Sequence, residues 1–544
     1  MKTINKNILF FIMFASIVLG GTACEDFLTV KPKSSWVTES FYESKSDVKL
    51  GLAGIYSYLG NRGELYGQMI PAKFEGGTDE MLYNRTNTKW AQALYMHSSA
   101  TSDLKNVWLQ LYKGIDAANV FISKVPDTPG LTDEERAQFM GEAHFMRALY
   151  YLDLVRWWGP VPLRITPTED INANNLAASS REDVYAQIIK DLEFAAANLK
   201  HSKDMEENGH ANKMAAHGLL ARVYLTMAGQ PLNQTDKYAK AIEHCDVILN
   251  DGWHQLNGSY KEHFLSYIQN GYDPQESLFE VEFGMLREQG IREDGRIGQI
   301  NGIRFSYFPK GGGTPHCYAM MQVGVKLINA YEDADERKDW NVANFQCTGK
   351  LGKIATTSNQ LAQWPGKFRR WDMISTGNVV GGDGEYVVLE DVGIPDKNFT
   401  GINYPILRFA DVLLMKAEAE NEVNGPSAAI SYLDMVRVRA GIGTIDPSLV
   451  SDKTAFLKEI QNERSRELCF EGLRKHDLIR WGILGETLDE LAVMIDASNG
   501  NVKQKATFKR AGENFDPAKH TVLPYPLQET TMNALLEQHA EWQN

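Results

Sequence analysis

YPILRFADVLLMKAEAENEVNGPSAAISYLDMVRVRAGI, Tyr404 to Ile442, is the stretch whose reading decides the fold. Two runs of helical periodicity flank Asn424-Gly425-Pro426. Glycine accepts the conformation that ends a helix, and proline suits the first turn of the next. Ala417 and Ala429 are small enough for close helix contact, while Leu433 and Val436 are large enough to fill the groove between helices. The stretch reads as two antiparallel helices joined by a tight turn.

Ala417, Glu420, Ala429, Leu433 and Val436 also fall at tetratricopeptide-like offsets. A second hairpin, Leu220-Ala221-x-x-Tyr224 followed by Tyr238-x-x-Ala241, fits that spacing with an insertion around Gln230 to Asp236. Helical periodicity runs from about Ser46 to Asp251. A helix is expected over 106–125, stopped by Pro126 and the Pro129-Gly130 turn. Thr132 and Glu135 form a capping box for a second helix, ended by Gly159-Pro160. Ser180 opens a third, reaching about Leu199. The fold class is mainly α: stacked helix pairs of this type with an irregular, loop-rich portion carrying a few short strands.

That irregular portion spans 252–403. Periodicity fades there, glycines are dense (Gly284, Gly290, Gly295, Gly298, Gly302, Gly311 to Gly313), and aromatics stand among polar residues. Val379 to Glu390 reads as a short hairpin around Gly381-Gly382-Asp383-Gly384. Long irregular segments in a compact protein usually carry function, and aromatic content argues against disorder.

At the other end, Lys2 and Lys6 precede an apolar run, Ile8 to Leu19, and then Gly20-Gly21-Thr22-Ala23-Cys24. This reads as a secretory signal over 1–23, too short to span a bilayer, which needs about 20 apolar residues. A cysteine directly after Gly-Thr-Ala resembles a bacterial lipoprotein signal, with Cys24 as the lipidation site. Glu25 and Asp26 resemble a surface-export signal that follows such cysteines. Acyl chains on Cys24 would anchor the protein to a membrane, each buried methylene contributing about 0.8 kcal/mol.

With 56 basic and 70 acidic residues the chain carries a formal charge of -14, so polyphosphate is repelled and no nucleic-acid partner is expected. Cys245, Cys317, Cys347 and Cys469 are widely spaced and read as buried thiols, although one bridged pair is compatible with the spacing. No phosphate-loop, HExxH, EF-hand or GxSxG pattern occurs, and no cofactor, metal or catalytic residue is expected. His144 and His217 lie on helices and read as satisfied internal residues. Glu463 and Glu467 sit one helical turn apart, as a glycosidase pair could. However, such carboxylates must flank a bond from opposing sides of a cleft. Interleaved with Arg464, Arg466 and Arg474, they are more simply an ion-pair network.

Binding is the better-supported chemistry. A sugar presents flat CH faces and many hydroxyls, so a site for it needs exposed rings beside amide or charged groups. Tyr83 to Trp90 has that alternation, as do Phe305 to Phe308 and Trp364 to Trp371. The candidate ligand residues are Trp90, Tyr83, Arg85, Asn87, Tyr307, Phe305 and Trp364. Composition does not separate a glycan from a peptide.

Six strings, in order along the chain, resemble SusD/RagB-like outer-membrane nutrient-binding lipoproteins. They are Cys24-Glu-Asp-Phe-Leu, Glu142 to Leu163, Tyr404 to Val423, Ala428 to Ile442, Glu463 to Gly482, and Leu523 to Asn533. The resemblance implies an N-terminal helical part (24–251) and a second part (252–544), in which the loop-rich insertion (252–403) precedes a C-terminal helical scaffold (404–544), all packed as one unit. It implies a lipid-anchored protein on the outer membrane, facing the cell exterior. Such a protein captures oligosaccharide without catalysis and delivers it to a SusC-like TonB-dependent transporter. It places Trp90 near the tryptophan that glycan-binding members often carry after the first helical pair. The alternative is a peptide-binding or purely structural lid of such a transporter, and a glycoside hydrolase stands third.

Overall fold

In the computed structural model the described residues are 41–60, 64–168, 175–205, 209–284, 293–309, 313–390, 396–450 and 452–543. The signal segment, Cys24, Gly290 and Gly311-Gly312 lie outside them. Helices begin where the capping residues put them. Thr132 accepts from the Glu135 N–H while the Glu135 carboxylate accepts from the Thr132 N–H, opening Asp133–Trp158. That helix ends at Gly159, whose φ of 74° is in the region glycine favours. Ser180 accepts from Asp183 to open Arg181–Asn198.

Consecutive helices pair. Ser102–Lys124 packs on Asp133–Trp158, which packs on Arg181–Asn198; Lys213–Ala228 then pairs with Lys237–Asp251. In the second half Phe409–Asn424 and Pro426–Arg439 form the expected hairpin. Its first helix also packs on Lys237–Asp251 and on Lys453–Leu468, which joins the two halves. Gly425 has φ 87° and Pro426 opens the following helix. One large core runs through these helices, from Val48 through Trp158 to Tyr525. No helix among the described residues is long and apolar enough to cross a membrane.

Between the helical parts lie short antiparallel strands. Met81–Tyr83 pairs with Met321–Val323, and Ser277–Val281 pairs with Tyr404–Arg408. The strand Glu385–Val388 pairs upstream with Trp371–Ser375, across a turn that includes Gly381 to Gly384. The hairpin expected at 379–390 is therefore wider, its first strand supplied by the Trp371 segment. Phe305, Tyr307, Phe345, Trp364 and Trp371 form a separate small core with Cys317 and Cys347. All four described cysteines are buried free thiols.

Candidate ligand-binding site

The stretches 83–90 and 304–318 come together although more than 200 residues separate them. Pairing of Met81–Tyr83 with Met321–Val323 sets their register. Asn84 extends it, its N–H donating to the Met320 carbonyl at 3.0 Å and its amide donating to the Ala319 carbonyl at 3.0 Å. Arg85 then donates through Nη2 to the Tyr318 carbonyl at 2.6 Å. From behind, Arg510 donates to the carbonyls of Arg85 and Thr86.

Most of the rings expected to face a ligand are inside. Trp90 is 5% exposed and stacks on Tyr83 with centroids 5.2 Å apart and planes 20° from parallel. The Tyr83 hydroxyl donates to Asn87 at 2.8 Å, which shapes the loop between them. Phe305, Tyr307 and Trp364 are buried in the small core. The physical reason is strand parity. Phe305 forms bridges with Cys317 and Cys347, so its ring points inward, and Tyr307, two residues on, follows it. Trp364 pairs with Ala343 and faces the same interior. Of the sequence candidates, Arg85 is half-buried at the surface and Asn87 is exposed.

The same alternation sends the intervening residues out. Phe308 is 46% exposed, and Tyr318, next to inward Cys317, is 38% exposed. His316 links them: its ring lies 4.6 Å from Tyr318 and 6.1 Å from Phe308, edge-on to both. Lys397 Nζ stands 4.7 Å from the Phe308 ring centre, and the Tyr318 hydroxyl is 3.5 Å from Asn398 Oδ1. Burial and the nearby charges of Lys397 and Arg370 push His316 down to about 4, so it is neutral at physiological pH. Neither of its ring nitrogens has a hydrogen-bond partner among the described residues. The surface thus presents two rings, an amide and several cations above a buried imidazole. Once the pairing turns Phe305 inward, alternation along Phe305-Ser306-Tyr307-Phe308 sends Phe308 outward.

Two other groupings are closed. Arg337 Nη1 reaches Glu463 at 2.6 Å and Glu467 at 3.0 Å, and Glu467 also pairs with Arg408 and Arg439. Burial opposes ionisation of both carboxyls, but the surrounding guanidiniums overcome it and hold them below the usual range. His263, Asp273 and Glu276 converge closely enough to hold a metal ion. Arg408 bonds Glu276 at 2.7 Å, and Arg439 at 3.2 Å, so guanidiniums occupy the lone pairs a cation would need. A recess bounded by Gln92, His97, Trp157, Lys475 and His520 has room for about one water molecule, too little for a sugar.

A family model described as "SusD family" matches residues 302–542, and one described as "Starch-binding associating with outer membrane" matches 26–225. The chain is 28% identical to SusD-like protein P25 of Formosa agariphila, covering 96% of this chain and 97% of that protein. A SusD homolog from Bacteroides thetaiotaomicron superposes with a TM-score of 0.80 at 25% identity, covering 93% of this chain and 98% of that one. Surface glycan-binding protein A from the same organism, solved in complex with laminarihexaose, shares the fold with a TM-score of 0.69 at 18% identity. The match covers 91% of this chain and 99% of that one.

Proposed function

The chain belongs to the SusD family, and from that premise we propose that it is a cell-surface lipoprotein that binds glycan and catalyses nothing. It passes its ligand, chemically unaltered, to a TonB-dependent outer-membrane transporter of the SusC type. The observation that carries the binding reading is the pair of exposed rings, Phe308 and Tyr318, flanked by Asn398 and Arg85. Exposed rings bury the flat face of a pyranose, and amide and guanidinium groups bond its hydroxyls. A structural relative bound to laminarihexaose and a family description naming starch and the outer membrane support the ligand class and the location. The non-catalytic reading is supported by Glu463 and Glu467, whose oxygens are taken up by arginines beneath the surface. Anchoring is assigned to Cys24, on the sequence that precedes it.

The test is calorimetric titration of the chain from Glu25 onward against a panel of plant, host and microbial polysaccharides, with reducing ends assayed in parallel. Saturable heat with a constant count of reducing ends is the expected result. Failure to bind any polysaccharide, or new reducing ends over time, contradicts the proposal.

A further inference from the structure

We infer that the ring surface is built for an anionic glycan, one bearing carboxylate or sulfate groups; this deepens the glycan-binding proposal and rests on it. The protein as a whole is acidic, with 70 acidic and 56 basic residues. Around Phe308 and Tyr318, described cations gather. Arg85, Arg296, Arg304 and Lys397 arrive there from three separate stretches of chain, with Arg510 behind them on the carbonyls of the Arg85 loop, and none forms an ion pair with a described carboxylate. Their bonds go to neutral groups. Arg85 donates to the carbonyls of Asn84 and Tyr318, Arg296 to Gln68 Oε1 at 3.0 Å, and Arg510 to loop carbonyls.

The contrast with the interior is informative. There, nearly every guanidinium meets a carboxylate: Arg337 meets Asp335, Glu463 and Glu467, and Arg408 meets Glu276, Glu467 and Glu471. Two acids near Lys397 in sequence are already engaged. Glu390 is paired with Arg370, and the Asp396 carboxylate accepts from the N–H groups of Asn398 and Phe399. Burial first, and then repulsion by the adjacent charge of Arg304, push Arg85 below its usual range. An incoming anion relieves that repulsion. The field is local, because at physiological salt it decays over about 8 Å, so the negative charge of the rest of the protein does not cancel it.

The geometry gives each part a task. Phe308 and Tyr318 offer faces for the sugar rings, and Lys397 Nζ lies over one face of the Phe308 ring. Arg85 lies behind the second, with Arg304 as its charged neighbour. A polymer with an acidic group on successive residues meets ring and cation together. A neutral polymer leaves the cations unanswered.

The experiment uses backbone-matched probes: galacturonan against its methyl ester, and sulfated galactan against the desulfated polymer. Binding is measured at about 50 mM and about 500 mM salt. The variant is Arg304→Gln/Lys397→Gln. Both residues are exposed and only their backbone carbonyls accept hydrogen bonds from described residues, so removing the side-chain charges should leave Tm unchanged, which is the folding control. The inference predicts that the anionic member of a pair binds at least about tenfold more tightly than its neutral partner. It also predicts a loss of about tenfold in high salt and in the variant. Equal affinity for both members, insensitive to salt and to the variant, overturns the anionic assignment and leaves glycan binding intact. Binding to none of the four, nor to any neutral polysaccharide, removes the glycan proposal as well.

Discussion

Arg85 Nη2 donates to the carbonyl oxygen of Tyr318 at 2.6 Å, while its Nη1 bonds the carbonyl of Asn84. One guanidinium therefore ties an early loop to the segment that presents an outward ring. A lysine cannot span both acceptors with one planar fork. Arg85→Lys, which keeps the charge but not the fork, should accordingly recover only part of what Arg85→Ala loses, about 1–2 kcal/mol of glycan binding. Calorimetric titration checks this, and full rescue by lysine would mean that only the charge matters.

Trp90 gives the opposite expectation. Its ring is buried against Tyr83, with Lys73 Nζ 5.9 Å from its centre. Trp90→Ala should cost about 3–5 kcal/mol of stability, read from a denaturant midpoint. Trp90→Phe should keep the ligand affinity of the native protein. A strong binding loss in a folded Trp90→Phe protein would return that ring to the site.

These two residues mark what was legible in the sequence. Local signals sufficed for the scaffold: the Thr132–Glu135 box and Asn424-Gly425-Pro426 act within a few residues, and both operate as read. The 460–480 segment was legible as an ion-pair network because its charges alternate along a helix. Its principal partners, Arg337 and Arg408, were not, since they arrive from distant segments. The ring surface fails for the same reason. Phe308 and Tyr318 face outward because Phe305 lies between Cys317 and Cys347, and no local pattern announces that pairing.

Within the network, Glu467 meets Arg337, Arg408 and Arg439 without solvent. Glu467→Gln leaves three buried guanidiniums short of a charge and should destabilise by about 3–5 kcal/mol. Glu463, Glu467 and Glu471 are all held below their usual range against the opposing effect of burial. Their stabilisation is complete above the unfolded carboxyl values and disappears as pH falls through the folded ones. Tm should drop steeply below about pH 4, and less steeply in Glu467→Gln.

Glu280 titrates in the other sense. Buried beside Ser277 and Asn403, with Glu282 and Asp273 adding negative charge, it is pushed up to about 8. The folded protein therefore holds a proton that the unfolded chain releases near pH 4.5. This contribution is complete in acid and is lost as pH rises towards 8. Glu280→Gln should gain stability relative to the native protein between pH 5 and pH 9, by roughly 2–4 kcal/mol at the alkaline end. Parallel Tm curves for the two proteins across that range would show that Glu280 is ionised throughout.

The most direct measurement is a calorimetric titration of the Phe308→Ala/Tyr318→Ala protein with whichever polysaccharide the native protein binds best. Both rings are exposed, so the fold and Tm should be retained. Loss of the two stacking faces should weaken binding by about 2 kcal/mol or more, about 30-fold in affinity. An isotherm indistinguishable from that of the native protein would contradict the assignment of glycan capture to this surface.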